Sequence, residues 1–257
     1  MGWKIVIITD CTDVAYNELH QIVSRELENY KIMDFQIAPL VSVKNFSIFN
    51  ASFSIRVLAE LYPPGSVFFV VVNGTNKNPD RIFGKTMNGI IFVGNNSGYF
   101  NWMIKDFGLK WLYRNKMDRG NNSRSFGGKH VGAPTVAKIV SGISLEDIGE
   151  PVSEDFLSDF SILDGTVVYC DNFGLMKISH PKLTEFYEGQ KIEISVNGEY
   201  RVDGIYATKW KTQLDGTWVL FPGSSLDFMP ELGRVRAKNS ADELGVGEGD
   251  VISWRAK

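Results

Sequence analysis

The sequence lacks any apolar run long enough to cross a membrane, which takes about 20 residues in a helix. No charged segment with a cleavable apolar stretch precedes the first predicted strand, so we expect no signal peptide and a cytoplasmic protein. Positive charge is not in excess, because 27 basic and 30 acidic residues give a net charge of −3. We therefore expect neither a nucleic acid nor a membrane surface as a partner.

Cysteine and histidine are scarce as well. Cys11 and Cys170 lie far apart in the sequence and match no metal-ligand spacing, so we expect two buried thiols. The three histidines include no pair with a spacing suited to zinc. His130 stands in a glycine-rich stretch, residues 126–130, and is a candidate site residue because loops often carry function.

Common cofactor and catalytic motifs are also missing. No Gly-x-Gly-x-x-Gly follows the first predicted strand, and the sequence has neither a phosphate-binding P-loop nor a Gly-x-Ser-x-Gly nucleophile turn. A standard dinucleotide site is therefore not expected. The one basic segment, residues 110–124, is diluted by Asn, Gly and Ser, and we predict a solvated loop there.

Apolar periodicity in the first 150 residues alternates between strand and helix. This order predicts an α/β domain with a mostly parallel sheet flanked by helices. Strands are predicted at residues 3–9, 33–38, 66–73 and 89–93, and helices at 16–30, 47–61, 99–105 and 133–141.

After Glu150 and Pro151 the apolar runs become short and glycine-rich turns separate them. We predict a second, all-β and barrel-like domain over residues 151–257, after an N-terminal domain over residues 1–150. Its predicted strands cover residues 166–169, 191–196, 200–207, 218–221 and 251–254.

The predicted strand at residues 66–73 is rich in Val and Phe and runs into a polar loop that ends at Arg81. A continuous apolar run indicates a strand covered on both faces, and ligands of α/β sheets bind just outside the carboxyl ends of such strands. We expect a site here. Asn73 cannot ionise and therefore cannot be a base, whereas Arg81 is able to clamp a ligand.

A series of short motifs in a fixed order points to one protein family. The chain resembles the S-adenosylmethionine hydroxide adenosyltransferases and their relatives, the fluorinase and the chlorinase. The matching motifs are Thr9-Asp10 with Asp13 and Tyr16 close behind, Leu61-Tyr-Pro-Pro-Gly-Ser-Val67, Phe92-Val-Gly-Asn-Asn-Ser-Gly98, Ser125-Phe126-Gly-Gly-Lys with Ala133-Pro134, and Asp171-Asn-Phe173-Gly174.

This resemblance implies an N-terminal α/β domain, a C-terminal β domain and a homotrimer. It places the ligand between the N-terminal domain of one subunit and the C-terminal domain of the next. The implied chemistry is attack by water or a halide on the ribose 5′ carbon of S-adenosylmethionine, which releases methionine. The sulfonium is already a good leaving group, so the protein must align the reactants and exclude water. No cofactor or metal is implied besides S-adenosylmethionine itself.

The resemblance assigns ribose and methionine contacts to the N-terminal domain. Asp10 would accept hydrogen bonds from the two ribose hydroxyls; its alternative role is that of a helix N-cap. Asp13 would hold the methionine ammonium together with Asp171. Phe46 would form an aromatic wall beside the ribose and methionine, with core packing as the alternative. Phe126 would pack against the ligand.

In the C-terminal domain, the resemblance places Phe173 near the adenine. Arg236 falls near a backbone stretch that contacts the adenine. Ser224 or Ser225 falls near the methionine carboxylate. Gly128 is shared by the hydroxide enzymes and the chlorinase, so it does not distinguish between them.

The chain departs from the family at positions that carry its chemistry. The hydroxide enzymes use an Asp–Arg–His set, and here Asn73 replaces the Asp and Gly127 the His, which leaves Arg81. Leu175 replaces an Asn that contacts adenine. The halogenating members have a tyrosine at the position of Asn73, so the chain does not match them either.

Three hypotheses remain open at this point. The chain is an enzyme that hydrolyses S-adenosylmethionine to adenosine and methionine, with Asn73, Arg81, Gly127 and His130 as the catalytic positions. Alternatively, it is a non-catalytic protein that retains an adenosyl pocket for sensing or storage. In the third hypothesis the ligand has changed, since Asn73 and Leu175 make the pocket uncharged and less polar.

Overall fold

The protein is described by a computed structural model that covers residues 2–73, 79–119, 126–181 and 183–257, with the backbone only at Asp118 and Arg119. The chain divides into two compact units, Met1–Ser161 and Ile162–Lys257. Parts of the predicted polar loop (74–78) and of the predicted basic loop (120–124), together with Ser125, lie outside the described residues. Within the described residues, no helix is both long and apolar enough to span a bilayer.

The first unit is built on an eight-stranded sheet with helices on both faces. Its strands are β1 (Trp3–Thr9), β2 (Phe35–Ile37), β3 (Val41–Ser42), β4 (Val67–Val71), β5 (Arg81–Thr86), β6 (Ile91–Asn95), β7 (Leu109–Asn115) and β8 (Gly149–Pro151). Its helices are α1 (Val14–Asn29), α2 (Ile48–Leu61), α3 (Asn101–Phe107), α4 (Ala133–Val140) and the short α5 (Leu145–Ile148).

This sheet is mixed, with four parallel and three antiparallel strand pairings. The strand order is β2-β1-β4-β6-β5-β7-β8, and β3 pairs with β1 beyond the end of β2. The strands β2, β3 and β4 run parallel to β1, and β6 runs parallel to β4. From β6 to β8 every pairing is antiparallel. Parallel pairings thus form the larger part of the sheet, as predicted, but the antiparallel edge formed by β5, β7 and β8 was not expected.

Local sequence explains the confirmed elements of this unit. The residues of β1 from Ile5 onward, and all of β4 except its last, are buried because helices cover both faces of the sheet. Ser47 caps the start of α2 by accepting the Asn50 N–H, and the helix ends at Leu61 before the Pro63–Pro64 pair. Separate apolar cores lie under α1 and α4 on one face and under α2 and α3 on the other.

The prediction of a solvated loop over the basic segment is wrong for the first half of that segment. Residues 109–115 form β7, an interior strand of the sheet between β5 and β8. Leu112 is buried, and Arg114 pairs with Asp80 at 2.6 Å. Apolar residues at alternate positions of β7 pack against the core, and this packing favours a strand despite the charged residues between them.

The second unit is a seven-stranded sheet that closes on itself. Its strands are β9 (Thr166–Cys170), β10 (Met176–Ser179), β11 (Lys191–Val196), β12 (Glu199–Tyr206), β13 (Trp218–Pro222), β14 (Pro230–Arg234) and β15 (Ile252–Ala256), with one short helix, α6 (Ser240–Leu244). The order is β15-β11-β12-β13-β14-β10-β9, and a bridge between Thr166 and Val251 joins its two ends. All pairings are antiparallel except that of β12 with β13.

The two faces of this second sheet differ. The enclosed face holds the main core, with Met176, Ile194, Leu220 and Leu232 fully or almost fully buried. The opposite face carries a smaller apolar cluster: Leu175, Ala207, Val219, Phe221 and Val235, with Ile205 and Trp210 packed against it. Leu175, Trp210, Phe221 and Val235 of this cluster line a cavity.

Candidate functional site

Asp10 organises the loops at the carboxyl ends of the parallel strands. It follows β1 directly, and only 8% of its surface is exposed. Its carboxylate accepts the backbone N–H of Phe46 at 3.2 Å, the backbone N–H of Asn73 at 3.1 Å and the side-chain amide of Asn73 at 3.4 Å. A buried carboxylate requires donors of this kind, and here they hold two separate loops in place.

The helix N-cap is the neighbouring residue Asp13. Its backbone is extended, and its side chain accepts the Ala15 N–H at 2.9 Å at the start of α1. The alternative that Asp10 caps this helix is therefore wrong. Asp13 is exposed, and its expected contact with a methionine ammonium stays a prediction.

Phe46 does not pack into the core. Its side chain is 61% exposed, and its backbone adopts a left-handed conformation with φ 62°. A bulky residue in this region costs about 1 kcal/mol or more, and such strain concentrates at functional sites. Core packing, the alternative role for Phe46, is thus contradicted by the exposure of its ring. Phe126 has a left-handed backbone too, with φ 69°.

A cavity of about 170 Å³ opens at the carboxyl ends of β4 and β6. It brings together five residues predicted from the sequence, namely Asn73, Arg81, Phe126, Gly127 and Gly128. The remaining lining residues are Phe69, Val70, Val71, Val72, Val93, Gly94, Asn95, Asn115 and Gly132. The described lining thus contains amides and one guanidinium, but no carboxylate and no imidazole.

Arg81 fills the space above Gly127. A Cβ atom placed on Gly127 would overlap the guanidinium of Arg81, so the absence of a side chain here is what lets the arginine lie in this position. Arg81 begins β5, directly opposite Asn95 on β6. The resemblance assigns an imidazole to position 127, and in this chain the guanidinium of Arg81 occupies that place.

Burial shifts the pKa values of two ionisable groups beside this cavity. Burial lowers the pKa of the Arg81 guanidinium, an effect that the nearby phenol of Tyr99 opposes. Burial raises the pKa of Tyr99, whose oxygen accepts the Asn95 N–H at 2.6 Å. At neutral pH Tyr99 is therefore a neutral phenol.

A glycine-rich turn forms one wall of the cavity. Residues Gly128–Gly132 make a π-helical turn that continues into α4. It approaches β4 closely, since a Cβ on Gly128 would lie 2.8 Å from the side chain of Val71. The buried amide of Asn115 donates to Thr135 at 2.7 Å and so ties the end of β7 to the start of α4. Larger side chains in this turn would push the wall away from the strand.

His130 lies in this π-helical turn and is half-exposed. Among the described residues, those that line the cavity include Gly127, Gly128 and Gly132, but His130 is not one of them. Its predicted catalytic position thus stays a prediction.

The second unit contains a larger cavity of about 680 Å³. It brings together the remaining residues predicted from the sequence, namely Asp171, Phe173, Ser224 and Arg236, along with Leu175. The ring of Phe173 is 65% exposed. The other lining residues are Lys177, Thr208, Trp210, Lys211, Phe221, Pro222, Gly223, Glu231, Arg234, Val235 and Ala237.

Two of these residues have structural partners of their own. Oδ1 of Asp171 accepts the N–H groups of Phe173 at 2.8 Å and Leu175 at 2.9 Å, which shapes the turn between β9 and β10. Arg236 forms an ion pair with Asp215, and its backbone is left-handed with φ 51°. Asp171 and Arg236 therefore contribute a shaped turn and an oriented backbone, as well as their charges.

Comparison with known proteins decides the family. The domain family described as SAM hydroxide adenosyltransferase N-terminal domain matches residues 5–149, which is more than half of the chain. The chain belongs to the SAM hydroxide adenosyltransferase family. A curated member from Methanocaldococcus jannaschii, named (R)-S-adenosyl-L-methionine hydrolase, is 25% identical over 203 residues, covering 73% of each chain.

Two solved structures have the same fold as this family member. A conserved protein from Thermotoga maritima superposes with a TM-score of 0.78 at 20% identity, covering 97% of this chain and 99% of the other. A conserved hypothetical protein from Thermus thermophilus gives a TM-score of 0.74 at 16% identity, covering 99% and 100%. At these identities the likeness establishes the fold alone.

Several residues of this SAM hydroxide adenosyltransferase family member were not predicted from the sequence. Asn95 and Tyr99 were missed, although both stand in or beside the Phe92–Gly98 motif. In the second unit Lys177, Trp210 and Glu231 were missed. Their proximity depends on tertiary structure such as the pairing of β10 with β14, which no local sequence pattern predicts. The described residues include no group of three or more His, Cys, Asp or Glu able to hold a metal ion.

The predicted pair of buried thiols is wrong. Both Cys11 and Cys170 are only partly buried, and neither forms a disulfide. Cys11 lies directly after Asp10, and its Sγ is 3.9 Å from an oxygen of that carboxylate. It thus borders the loops that Asp10 organises.

Proposed function

We propose that this protein hydrolyses S-adenosylmethionine to adenosine and methionine. The observation that carries the proposal is the arrangement around Asn73, which bonds to the buried carboxylate of Asp10 and also lines the cavity that holds Arg81. Membership of the SAM hydroxide adenosyltransferase family and the name of the relative from Methanocaldococcus jannaschii support it.

In the proposed reaction a water oxygen attacks the ribose 5′ carbon as the C5′–S bond breaks. The electron pair of that bond goes to the sulfur, which becomes the thioether of methionine, and the water loses one proton to solvent. The sulfonium leaves readily, so placing the water in line contributes more than proton abstraction. The described lining of the small cavity suits this role, since its polar side chains orient water but cannot act as a base at neutral pH.

Each residue has a stated part in this proposal. Asp10 accepts hydrogen bonds from the ribose hydroxyls, while the Asn73 amide and the Arg81 guanidinium orient the water over Gly127. Phe46 and Phe126 exclude solvent from the reacting atoms. The remaining contacts that the family resemblance implies are those of Asp13, Gly128, Asp171, Phe173, Ser224 and Arg236. His130 is a further candidate because of its place in the glycine-rich stretch.

One observation favours a second candidate function. Among the described residues that line the small cavity, none is a carboxylate or an imidazole, so this part of the lining offers no group that accepts a proton from water. A protein with such a site is suited to bind S-adenosylmethionine or adenosine for sensing or storage without turnover. Loss of groups that stabilise a transition state lowers turnover more than it lowers ligand affinity.

Turnover and binding must be measured together to separate these functions. Purified protein is incubated with each sulfonium epimer of S-adenosylmethionine, and released adenosine and methionine are quantified by chromatography. Calorimetry with the same ligands gives the affinity. Equal release of adenosine and methionine above a no-protein control supports the hydrolase, whereas binding without release supports the second function. Neither binding nor release would contradict both.

We also propose that the protein is a homotrimer, as the family resemblance implies. Sedimentation equilibrium tests this directly, because the chain mass is 28.8 kDa. A species of three chain masses is expected. A monomer that retains ligand binding would contradict the trimer and leave the binding proposal standing.

A further inference from the structure

The small cavity of the first unit opens where β6 separates from β4. Within the described residues, these two strands pair in parallel only as far as Phe69, opposite Val93. On its other side β6 continues to pair with β5 as far as Asn95, which lies opposite Arg81. The edge of β6 that faces β4 therefore leaves the sheet first, and residues at this gap line the cavity.

The register of the parallel pairs identifies the hydrogen bond that the gap replaces. The Ile91 N–H donates to the Ser66 carbonyl at 2.9 Å. Bonds of this kind recur at even spacing along a parallel ladder, so the same pattern would direct the Asn95 N–H to the Val70 carbonyl. Instead, the Asn95 N–H donates to the phenol oxygen of Tyr99 at 2.6 Å. A side chain thus takes the place of the next backbone acceptor on β4.

The phenol oxygen of Tyr99 stands close to the carbonyl that it replaces. A Cβ atom placed on Gly94 would lie 2.8 Å from the Tyr99 oxygen and 2.9 Å from the Val70 oxygen, so both oxygens border the same point of the backbone. Gly94 and Val70 both line the small cavity. The Val70 carbonyl therefore lies at the cavity wall without the N–H that a continued ladder would give it.

Packing alone does not account for a tyrosine at position 99. Tyr99 is fully buried in the apolar core under α2 and α3, and its ring packs against Phe100 with 4.7 Å between centroids. Phenylalanine would fill nearly the same volume, and a buried hydroxyl has a free-energy cost that its hydrogen bonds must offset. The bond from Asn95, next to the cavity, is what the hydroxyl of Tyr99 adds.

We propose that Tyr99 is a positioning residue that holds β6 away from β4 and so presents the Val70 carbonyl to the attacking water. This inference rests on the proposed function, in which water attacks the ribose 5′ carbon. The Val70 oxygen accepts a hydrogen bond from that water, while the Asn73 amide and the Arg81 guanidinium complete its orientation. A backbone carbonyl is a fixed acceptor, so the water is oriented without an ionisable side chain, and its proton is lost to solvent.

The test removes one oxygen atom and measures turnover and affinity. In Tyr99→Phe the Asn95 N–H loses its acceptor and is expected to pair with the Val70 carbonyl, which closes the gap. We expect kcat for S-adenosylmethionine hydrolysis to fall about tenfold or more, while the affinity for adenosine stays within about twofold of the wild type. The matched control is Tyr113→Phe, since the Tyr113 hydroxyl donates to Glu146 at 2.9 Å and Tyr113 does not line the cavity. The kcat of this control should stay within about twofold of the wild type.

Crystal structures of the wild type and of Tyr99→Phe test the geometry without reference to turnover. In the variant we expect the Asn95 nitrogen at about 2.9 Å from the Val70 oxygen, and a smaller cavity. Strand ends that stay apart in the variant, or a closed gap with an unchanged kcat, overturn this inference alone. A wild type without turnover contradicts the proposed hydrolysis and the role of the Val70 carbonyl in it, whereas closure of the gap would still support the effect of Tyr99 on the strands.

A second variant covers the case in which Tyr99→Phe does not fold. Gly94→Ala retains the phenol but adds a Cβ atom beside both the Tyr99 and the Val70 oxygens. Water is then kept from the carbonyl, so kcat should again fall about tenfold while adenosine affinity stays within about twofold. A wild-type kcat in Gly94→Ala would contradict the inference.

Discussion

The cavities of the two units hold their polar groups in different ways. In the first unit, the described lining offers neutral amides and one guanidinium, and the carboxylate of Asp10, which bonds to the lining residue Asn73, holds two loops. In the second unit, the buried ion pair of Lys177 with Glu231 lines the cavity together with apolar side chains. The first arrangement suits the placement of a small neutral nucleophile beside a ribose, and the second suits the recognition of a charged, partly apolar ligand. The comparison therefore assigns the chemical step to the cavity of the first unit and ligand recognition to the cavity of the second.

Among the changes considered, removal of the Asp10 carboxylate should have the largest effect, and it should act on ligand affinity. In Asp10→Ala we expect adenosine to bind about 100-fold more weakly, because hydrogen bonds to a charged group contribute about 1.5–3 kcal/mol each and two ribose hydroxyls lose their acceptor. Calorimetry with adenosine measures the loss. Asp13→Ala is the control, since it removes the N-cap of α1 and a proposed contact with methionine, which adenosine lacks, and so should leave adenosine affinity unchanged. Equal affinities for both variants would contradict the role of Asp10.

A methyl group at position 127 should displace Arg81 without straining the backbone. The backbone of Gly127, with φ −58° and ψ −27°, accepts alanine readily, but the added Cβ overlaps the guanidinium. We expect Gly127→Ala to lower kcat about tenfold, which corresponds to about 1.4 kcal/mol, while adenosine affinity changes less than twofold. In an Arg81→Met background, the same change should add nothing further. Full additivity of the two changes would mean that Gly127 acts independently of Arg81.

A second carboxylate beside Asp10 should make stability depend on pH. The amide of Asn73 lies 3.4 Å from Asp10. In Asn73→Asp the like charges raise the pKa of one carboxyl group in the folded state above its unfolded value of about 3.9. The variant should therefore be less stable than the wild type by about 1 kcal/mol at pH 7, and the deficit should vanish below about pH 4. Thermal unfolding at both pH values measures it. A deficit that is equal at both, as expected for Asn73→Ala, would show that charge is not the cause.

The smallest effect concerns the thiol beside Asp10. Burial raises the pKa of Cys11, the charges of Asp10 and Asp13 add to this, and a hydrogen bond from Thr9 opposes it. At pH 8 the thiolate fraction is therefore small, so iodoacetamide should label Cys11 several-fold more slowly than glutathione, with the rate rising toward pH 10. Mass spectrometry of a Cys170→Ser variant follows Cys11 alone. Labelling as fast as glutathione would contradict the raised pKa.

The elements that were predicted correctly are those whose signals are local. The buried run of β4 and the helical spacing of Leu19, Val23 and Leu27 in α1 need no tertiary information. The strands β5 and β7 were missed because each mixes charged and apolar residues. In β5, Gly84 interrupts the pattern at the point where the ring of Phe92 covers the backbone. Pairing with neighbouring strands decides such segments.

The candidate site also has parts that local sequence predicts and parts that depend on tertiary contacts. Asp10 was predictable from its place after β1, since ligands gather at that edge of a parallel sheet. The contact of Arg81 with Gly127 and that of Lys177 with Glu231 depend on positions that are far apart in the sequence. Both contacts follow from backbone approach and strand register, which single-residue patterns do not encode.

The central claim is that water attacks the 5′ carbon of bound S-adenosylmethionine. The most direct test is to run the reaction in ¹⁸O-labelled water and locate the label by mass spectrometry. The account predicts one ¹⁸O atom in the 5′ hydroxyl of adenosine and none in methionine. Adenosine without label, or 5′-methylthioadenosine formed in its place, would contradict it.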